Sequence, residues 1–301
     1  MTFSLSQILT DYNKVKKNKA PIKKVKILSE VTFQPNDILV DYFTRKYGFT
    51  LDYEIGLYDQ MNYESFNDEK KKLDTYDFVY IHSSILKWFI SDEINFNDKN
   101  ATRLDTYLEN IKKIFKKNPK SNIIANTLEY PPFRVRGSLS SRSGLVFHVR
   151  KFNDALIKLS YELSNLMIQD INYISNQTGL NNWFDFNSWV AFKQPFSEKA
   201  LVALSQSLAS VMASVIGKSK KILISDLDDT LWSGIVGDDG VDGILIGPDT
   251  AKGELFFVIQ KYLFFIIKSG VIFSIVSKND SKAVNEAFKK KRDDMPINLE
   301  L

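Results

Sequence analysis

The chain has 301 residues, of which 44% are hydrophobic and 25% are charged, and its formal net charge is +4. This length and composition favour a globular protein with two domains, and the small, dispersed charge excess argues against a nucleic-acid partner. Cysteine is absent, which excludes disulfides, thiolate metal sites and a cysteine nucleophile and is consistent with a cytoplasmic location.

Neither the N-terminus nor the most apolar segment has the pattern of a membrane segment. The first residues lack an uninterrupted apolar stretch before their lysines, unlike a signal peptide. The apolar segment 254–277 is interrupted by Gln260, Lys261, Lys268 and Gly270. We therefore predict a buried helix followed by a buried strand, and no membrane partner.

Short apolar runs alternate with stretches of helical spacing over residues 1–219. Runs typical of strands are residues 23–33, 51–59, 77–84 and 121–132. Helical spacing covers residues 36–49, 101–119, 148–179 and 197–220. We expect 148–179 to be one long helix with a strand at its end, Ser197 to be an N-cap, and Gly48 and Gly217 to end helices.

The alternation begins again at Lys220, after a Gly-Lys-Ser-Lys sequence, and we place a domain boundary there. Alternating strands and helices indicate a parallel sheet with helices on both faces. The sequence therefore predicts an α/β protein with two Rossmann-like parallel-sheet domains, residues 1–219 and 220–301.

An apolar strand runs directly into a dense acidic cluster in KILISDLDDT, residues 221–230. Asp226 follows the strand at the edge where parallel sheets bind ligands. A turn there would bring Asp226 and Asp228 toward one site, and a hard cation such as Mg²⁺ would relieve their repulsion. One carboxylate is a candidate nucleophile toward phosphorus and the other a candidate general acid and base. The alternative is a helix-capping turn of surface aspartates.

The motif DLDDT, residues 226–230, resembles the D-x-D-x-T signature of the haloacid dehalogenase (HAD) superfamily of phosphotransferases. The longer strings 224–247 and 253–280 are similar to the FkbH-like branch of that superfamily. The resemblance implies that Asp226 is the nucleophile and a Mg²⁺ ligand. It implies that Asp228 is the general acid and base and gives its backbone carbonyl to the metal.

The same resemblance assigns supporting roles to neighbouring residues. Thr230 would support the loop, and Ser277 would hydrogen-bond the phosphoryl group. Lys278 and Asn279 fit the family's SKN sequence and would line the pocket. Without the resemblance, Ser277 fits equally well as the N-cap of the next helix, as do the two residues after Asn279.

One residue departs from the family pattern, because Asp229 stands where the family usually has asparagine. This adds a negative charge beside the predicted metal site, at a position that is not catalytic in the superfamily.

HAD members also use a lysine and a distal acidic residue, which in the family lie beyond a segment like residues 295–301. Asp293 and Asp294 directly follow a helix, and we do not assign them the metal role. The sequence therefore predicts a chain truncated at its C-terminus, with a partial HAD-like sheet, weak metal binding and little or no catalysis by the chain itself.

Residues 1–219 resemble the N-terminal domain of FkbH-like proteins, a relative of the SGNH hydrolases, in the strings 27–35, 123–132 and 184–197. Ser29 follows the first strand, where an SGNH serine would stand, but the chain has two histidines, His82 and His148, and neither lies late in the domain. Either could still reach Ser29 in space. The other interpretations are that Ser29 and Asn126 form a binding surface, or that neither is functional.

Three functions therefore remain open. The resemblance implies a Mg²⁺-dependent phosphatase or phosphotransferase that acts on a small phosphorylated metabolite through an aspartyl-phosphate. For FkbH-like relatives it further implies glyceryl transfer from a phosphoglycerate to an acyl carrier protein, which would then be a partner. The alternatives are a catalytically incomplete protein that binds a metal or a partner, and a serine esterase or acyltransferase centred on Ser29.

Overall fold

The computed structural model describes residues 4–14, 20–56, 76–87, 98–134, 137–139 and 144–297. The chain divides into two compact units, Met1–Lys218 and Ser219–Leu301, which we call unit 1 and unit 2. Each unit has its own parallel sheet.

Unit 1 contains a five-stranded sheet in which every pairing is parallel. Its strands are β1 (Ile22–Ser29), β2 (Thr50–Ile55), β3 (Phe78–His82), β4 (Asn122–Asn126) and β5 (Leu166–Gln169), in the spatial order β2-β1-β3-β4-β5. The strand order reverses between β1 and β3, and in such sheets ligands bind beside the carboxyl ends of the strands at the reversal.

Helices cover both faces of this sheet. They are α1 (Leu5–Lys14), α2 (Asn36–Lys46), α3 (Asp98–Lys117), α4 (Leu145–Glu162), α5 (Ile171–Thr178), α6 (Phe186–Phe192) and α7 (Glu198–Val215). In β3, Phe78 and Tyr80 join the core shared with α2 and α7, whereas Val79 and Ile81 join the core shared with α3 and α4. Successive strand residues point to opposite faces, so β3 is buried on both sides.

Three predicted helix boundaries are confirmed. The hydroxyl of Ser197 caps α7 by accepting a hydrogen bond from the amide of Ala200 at 3.2 Å. Gly48 and Gly217 follow α2 and α7 with φ of 83° and 72°, a backbone conformation that favours glycine.

The prediction of one long helix over residues 148–179 is wrong. Helix α4 ends at Glu162, β5 pairs with β4, and α5 starts after Asp170, which accepts a hydrogen bond from the amide of Tyr173. The strand lies inside the predicted helix rather than at its end. Four apolar-rich residues are too few for periodicity to distinguish a strand from a helix.

Unit 2 contains a two-stranded parallel sheet of β6 (Ile222–Ser225) and β7 (Ile272–Ile275). Its helices are α8 (Val236–Gly243), α9 (Ala251–Lys268) and α10 (Ser281–Lys290). Its core includes Leu227, Trp232, Phe256, Phe288 and Met295. Together with unit 1, this confirms the prediction of an α/β protein with parallel sheets.

The predicted buried helix and strand of residues 254–277 are buried on one side only. Phe256 of α9 joins the core, but exposed apolar side chains follow the opposite side of the helix at Leu255, Val258, Tyr262 and Phe265. The outer face of the sheet is also exposed, at Ile222, Ile224, Ile272 and Val276. The sequence could not predict this because α9 is apolar on every side. Among the described residues, no helix is long and apolar enough to cross a membrane.

Candidate functional site

The acidic loop of unit 2 starts at the carboxyl edge of the small sheet. Ser225 of β6 pairs in register with Ile275 of β7, so the loops that follow the two strands leave the sheet at the same edge. Asp226 begins the first loop and Ser277 lies in the second. The structure therefore brings these two predicted site residues to the edge where parallel sheets bind ligands.

The loop has a tight turn held by its own backbone. Leu227 is fully buried, and its carbonyl accepts hydrogen bonds from the amides of Thr230 at 3.1 Å and Leu231 at 2.8 Å. Asp229 has φ of 49°, a conformation that aspartate and asparagine adopt more readily than most residues, and its carboxylate accepts from the amide of Gly234 at 2.9 Å. Asp229 thus shapes the turn, and Thr230 supports the loop through its backbone.

A buried glutamine joins this loop to α9. Gln260 is fully buried, and its Nε2 donates to the carbonyl of Leu231 at 2.8 Å. Its Oε1 accepts from the amide of Ile297 at 3.2 Å. Because Gln260 has partners for both ends of its amide, it is a satisfied polar group inside an apolar core.

The two predicted carboxylates differ in their surroundings. Asp226 is exposed, and its Oδ1 accepts from the amide of Leu227 at 2.7 Å. Within the described part of the chain, Oδ2 of Asp226 has no hydrogen-bond partner. An exposed residue with an unpaired carboxylate oxygen suits a nucleophile or a metal ligand.

Asp228 is held by three donors. Its Oδ1 accepts from the indole Nε1 of Trp232 and from the amide of Val236, each at 3.1 Å. Its Oδ2 accepts from the side-chain Nδ2 of Asn279 at 2.7 Å. The indole of Trp232 is fully buried and packs edge-on against Phe288, with ring centroids 5.5 Å apart. The carboxylate of Asp228 is therefore fixed in orientation.

The loop after β7 contributes the remaining predicted residues. The hydroxyl of Ser277 accepts from the amide of Asn279 at 3.2 Å, and Lys278 is exposed. The N-cap of α10 is Asp280, whose carboxylate accepts from the amide of Lys282 at 2.8 Å. Of the possible capping residues, the structure thus uses Asp280 and leaves the Ser277 hydroxyl outside the cap.

The loop offers oxygen ligands for a cation. Mg²⁺ is commonly bound by one or two carboxylates together with waters and substrate phosphate, so the open oxygen of Asp226 and the backbone carbonyl of Asp228 fit part of its shell. Over the residues that the structure describes, no group of three or more histidine, cysteine or acidic side chains could hold a metal ion. The protein ligands at this site are therefore few.

In unit 1, Ser29 lies at the carboxyl end of β1 and pairs in register with His82 at the end of β3. The Ser29 hydroxyl donates to the carbonyl of Val31 at 2.5 Å and accepts from the amide of Val31 at 3.3 Å. Ser29 is 5% exposed. Its hydrogen bonds therefore close a local turn, and none of them joins it to a histidine.

His82 is fully buried among aromatic rings. Its Nδ1 lies 3.0 Å from the Tyr80 hydroxyl and 3.2 Å from Oδ1 of Asn126, and the rings of Phe33 and Phe196 are centred 5.8 and 5.6 Å away. Burial lowers the pKa of His82 to about 3, so the imidazole is neutral. Within the described residues, its Nε2 has no hydrogen-bond partner. His148, the other histidine, lies in α4.

Asn126 joins the ends of two strands. Its Oδ1 accepts from the amide of Ser83 at 2.9 Å, and its Nδ2 donates to the carbonyls of Ser83 at 2.9 Å and Thr127 at 2.8 Å. These contacts saturate the side chain. Asn126 and Ser29 are therefore both at the carboxyl edge of the sheet, but each is bonded within the protein.

Two buried carboxylates at this edge were not predicted from the sequence. Oε2 of Glu30 accepts from the hydroxyl of Ser83 at 2.6 Å. Oε1 of Glu129 accepts from the hydroxyl of Ser84 and from the amide of Ile85 at 3.2 Å. Burial raises the pKa of Glu129 to about 7. The sequence feature that could have indicated Glu30 and Glu129 is an acidic residue shortly after an apolar strand.

One protein-family model matches the chain, and the match lies within unit 1. The family model described as FkbH, N-terminal domain, matches residues 24–213. The chain belongs to the FkbH family. This match covers most of unit 1 of the FkbH chain and ends before unit 2 begins. No curated protein sequence matches the chain. The predicted relationship to FkbH-like proteins is confirmed.

A solved structure shares the fold of this chain. The N-terminal part of protein BF1531 from Bacteroides fragilis, described as containing a phosphatase domain complexed with Mg, superposes with a TM-score of 0.89 at 22% identity. The similarity covers 99% of this chain and 79% of that one. Salicylyl-acyltransferase SsfX3 from a tetracycline biosynthetic pathway matches with a TM-score of 0.42 at 11% identity, over 67% of this chain and 56% of that one. The second similarity is too low to indicate function.

Proposed function

We propose that unit 2 is a Mg²⁺-dependent phosphatase or phosphotransferase of HAD type. The observation that carries the proposal is the contrast between Asp226, which has an open oxygen, and Asp228, which is fixed by three donors. A nucleophile needs a free oxygen, and a general acid and base needs a defined orientation.

In the proposed reaction, an oxygen of Asp226 attacks phosphorus while the bond from phosphorus to the leaving oxygen breaks. Asp228 donates its proton to that leaving oxygen, and an aspartyl-phosphate forms on Asp226. Asp228 then takes a proton from water or from an acceptor group, whose freed lone pair attacks phosphorus. The bond to Asp226 breaks, which restores the carboxylate.

The neighbouring residues support this chemistry. The Ser277 hydroxyl would donate to a phosphoryl oxygen, and the exposed Lys278 would add positive charge near the carboxyl edge of the sheet. Mg²⁺, when bound, would neutralise charge on the phosphoryl oxygens. Asp226 and the carbonyl of Asp228 are the groups that would hold it. The Mg complex of the Bacteroides fragilis protein, which shares this fold, supports that choice of metal.

The proposed substrate is a small phosphorylated metabolite. Membership of the FkbH family supports a finer proposal, which is transfer of a glyceryl unit from a phosphoglycerate to an acyl carrier protein in the cytoplasm. In that case unit 1 would contribute binding, not hydrolysis, because Ser29 and Asn126 are bonded within the protein. The alternative of an esterase centred on Ser29 has no support from these contacts.

One observation favours a second candidate function. In the described residues no third acidic side chain joins Asp226 and Asp228 as a possible metal ligand. A chain with so few ligands would bind Mg²⁺ weakly and would serve as a metal-binding or partner-binding protein without turnover.

The sequence predicts little or no catalysis by the chain itself, whereas the proposed function requires turnover, so the deciding test is hydrolysis of p-nitrophenyl phosphate by the full chain with and without Mg²⁺. The proposal predicts Mg²⁺-dependent turnover that Asp226→Asn removes and Asp238→Asn preserves, since Asp238 is an exposed carboxylate of α8 outside the loop. Calorimetric binding of Mg²⁺ without turnover would support the second candidate. Neither binding nor turnover would contradict both candidates.

A further inference from the structure

The hydrogen bonds of Asp228 are distributed unequally between its two oxygens. A carboxylate oxygen offers two acceptor positions. Within the described residues, Oδ1 accepts from the indole Nε1 of Trp232 and from the backbone amide of Val236, whereas Oδ2 accepts only from the side-chain Nδ2 of Asn279. Oδ1 is therefore saturated, and Oδ2 is the oxygen that keeps an open acceptor position.

One of the two donors to Oδ1, the side chain of Trp232, belongs to the core of unit 2. The indole of Trp232 is fully buried and packs against Phe288 of α10. The preceding carbonyl, that of Leu231, accepts from the buried Gln260 at 2.8 Å. The indole cannot rotate away from Asp228 without disturbing this packing.

The donor on the Oδ2 side belongs to the second loop. The amide of Asn279 donates to the Ser277 hydroxyl at 3.2 Å, and the next residue, Asp280, caps α10. The side chain of Asn279 then reaches Oδ2 of Asp228 at 2.7 Å, across 51 positions of sequence. One carboxylate thus joins the loops that follow β6 and β7.

We propose that Trp232 and Asn279 are positioning residues for Asp228, which together present its Oδ2 to the oxygen that leaves phosphorus. This inference rests on the proposed function of unit 2 and adds to it the residues that orient the acid and base. Two fixed donors on opposite oxygens define the plane of the carboxylate, and the saturation of Oδ1 selects Oδ2. Neither residue exchanges a proton with the substrate.

The contact itself can be tested by NMR of the full chain, without any enzymatic activity. The chain has four tryptophans, so its ¹H–¹⁵N spectrum contains four indole N–H signals, and Trp232→Phe identifies the signal that belongs to Trp232. Because Trp232 and Asn279 share one carboxylate, Asn279→Ala should move that signal. Asn285→Ala, a change of an exposed asparagine on α10, should leave it in place. An unmoved signal in Asn279→Ala would overturn the inference.

The positioning role is tested by kinetics with p-nitrophenyl phosphate and Mg²⁺. We expect Asn279→Ala to lower kcat by about tenfold to a hundredfold, a part of what general acid–base catalysis contributes. KM should stay within about twofold, since in this proposal Asn279 acts through its hydrogen bond to Asp228. Asn285→Ala should retain wild-type kcat.

The variant Asn279→Asp separates positioning from a purely structural role. Its side chain has nearly the same shape as asparagine but places a second carboxylate against Asp228. We expect it to have a lower kcat than Asn279→Ala, whereas a space-filling role would give the opposite order. An equal or higher kcat in Asn279→Asp would overturn the inference.

The two proposals fail in different ways. Absence of turnover by the wild-type chain would contradict the proposed function, while a moved indole signal in Asn279→Ala would still support the positioning contact. Wild-type turnover with full kcat in Asn279→Ala would retain the proposed function and overturn the positioning role.

Discussion

Among the described residues, Asp228 accepts three hydrogen bonds, whereas Asp226, two residues earlier, accepts one, from the adjacent amide of Leu227. The fully buried Leu227 stands between them in sequence and anchors the turn in the core of unit 2. One short loop therefore supplies an open carboxylate and an oriented one. This asymmetry gives the two residues different expected roles.

The first prediction concerns the open carboxylate. Asp226→Asn should lower turnover of p-nitrophenyl phosphate by about a thousandfold or more, since the amide cannot act as the nucleophile. Asp226 is exposed, so the free energy of unfolding should change by less than about 0.5 kcal/mol. Steady-state kinetics and urea unfolding measure the two effects. Residual turnover within a few-fold of wild type would count against Asp226 as the nucleophile.

A second prediction follows from the buried Glu129, whose pKa is raised by burial from 4.5 to about 7. Its contribution to stability is fully present below pH 4.5 and is lost as the pH rises through about 7, because only the unfolded state ionises easily. Glu129→Gln imitates the protonated form. It should therefore be more stable than wild type at pH 8, by up to about 3 kcal/mol, and similar to wild type at low pH.

Urea unfolding of both proteins across this pH range measures the difference. The matched control is Glu162→Gln, which changes an exposed glutamate at the end of α4. A Glu129→Gln variant that is less stable than wild type at pH 8 would show that the folded protein keeps Glu129 ionised.

The third prediction concerns His82, whose contribution to stability is lost as the pH falls, whereas that of Glu129 is lost as the pH rises. Burial lowers the pKa of His82 from 6.5 to about 3, so acid protonates the unfolded state first. The stability that His82 contributes is present above pH 6.5 and is lost as the pH falls toward 3. His82→Phe should reduce the loss of stability between neutral and acidic pH, although it removes the contact with Asn126.

The measurement is the free energy of unfolding at pH 7 and pH 4 for wild type and His82→Phe. Glu129 and His82 act in opposite directions over overlapping pH ranges, so comparing Glu129→Gln with the double variant isolates the contribution of the histidine. If the free energy of unfolding of the double variant falls with acid as much as that of Glu129→Gln alone, His82 is protonated in the folded protein.

The fourth prediction concerns the esterase hypothesis. A fluorophosphonate probe should not label Ser29, because its hydroxyl donates to the carbonyl of Val31 and is buried. Mass spectrometry of the treated wild-type protein and of Ser29→Ala makes the comparison. A label on Ser29 that is absent from Ser29→Ala would reopen a serine-based activity in unit 1.

Much of the fold was predictable because its elements alternate regularly. The strands of unit 1 are apolar runs in the sequence. Two of its helices, α2 and α7, are followed by Gly48 and Gly217, where the chain has positive φ. The segment 148–179 was not predictable, since β5 is short and its sequence also fits helical spacing. Local periodicity identifies long elements better than short buried ones.

The candidate site was predictable where one segment carries the chemistry. The loop of Asp226 and Asp228 follows a strand in sequence, so its place at the sheet edge could be inferred. The contact between Asp228 and Asn279 could not, because it joins residues 51 positions apart through side chains. The hydrogen bond from the indole of Trp232 to Asp228 could not be predicted either, since an aromatic residue in an apolar segment first indicates core packing.

The buried amide of Gln260 links two distant parts of unit 2. In the sequence this residue interrupts an apolar segment and argues against a membrane span. In the structure it binds the carbonyl of Leu231 at one end and the amide of Ile297 at the other. Neither segment can open without leaving a buried polar group unsatisfied, so the acidic loop and residue 297 belong to one cooperative unit of local unfolding.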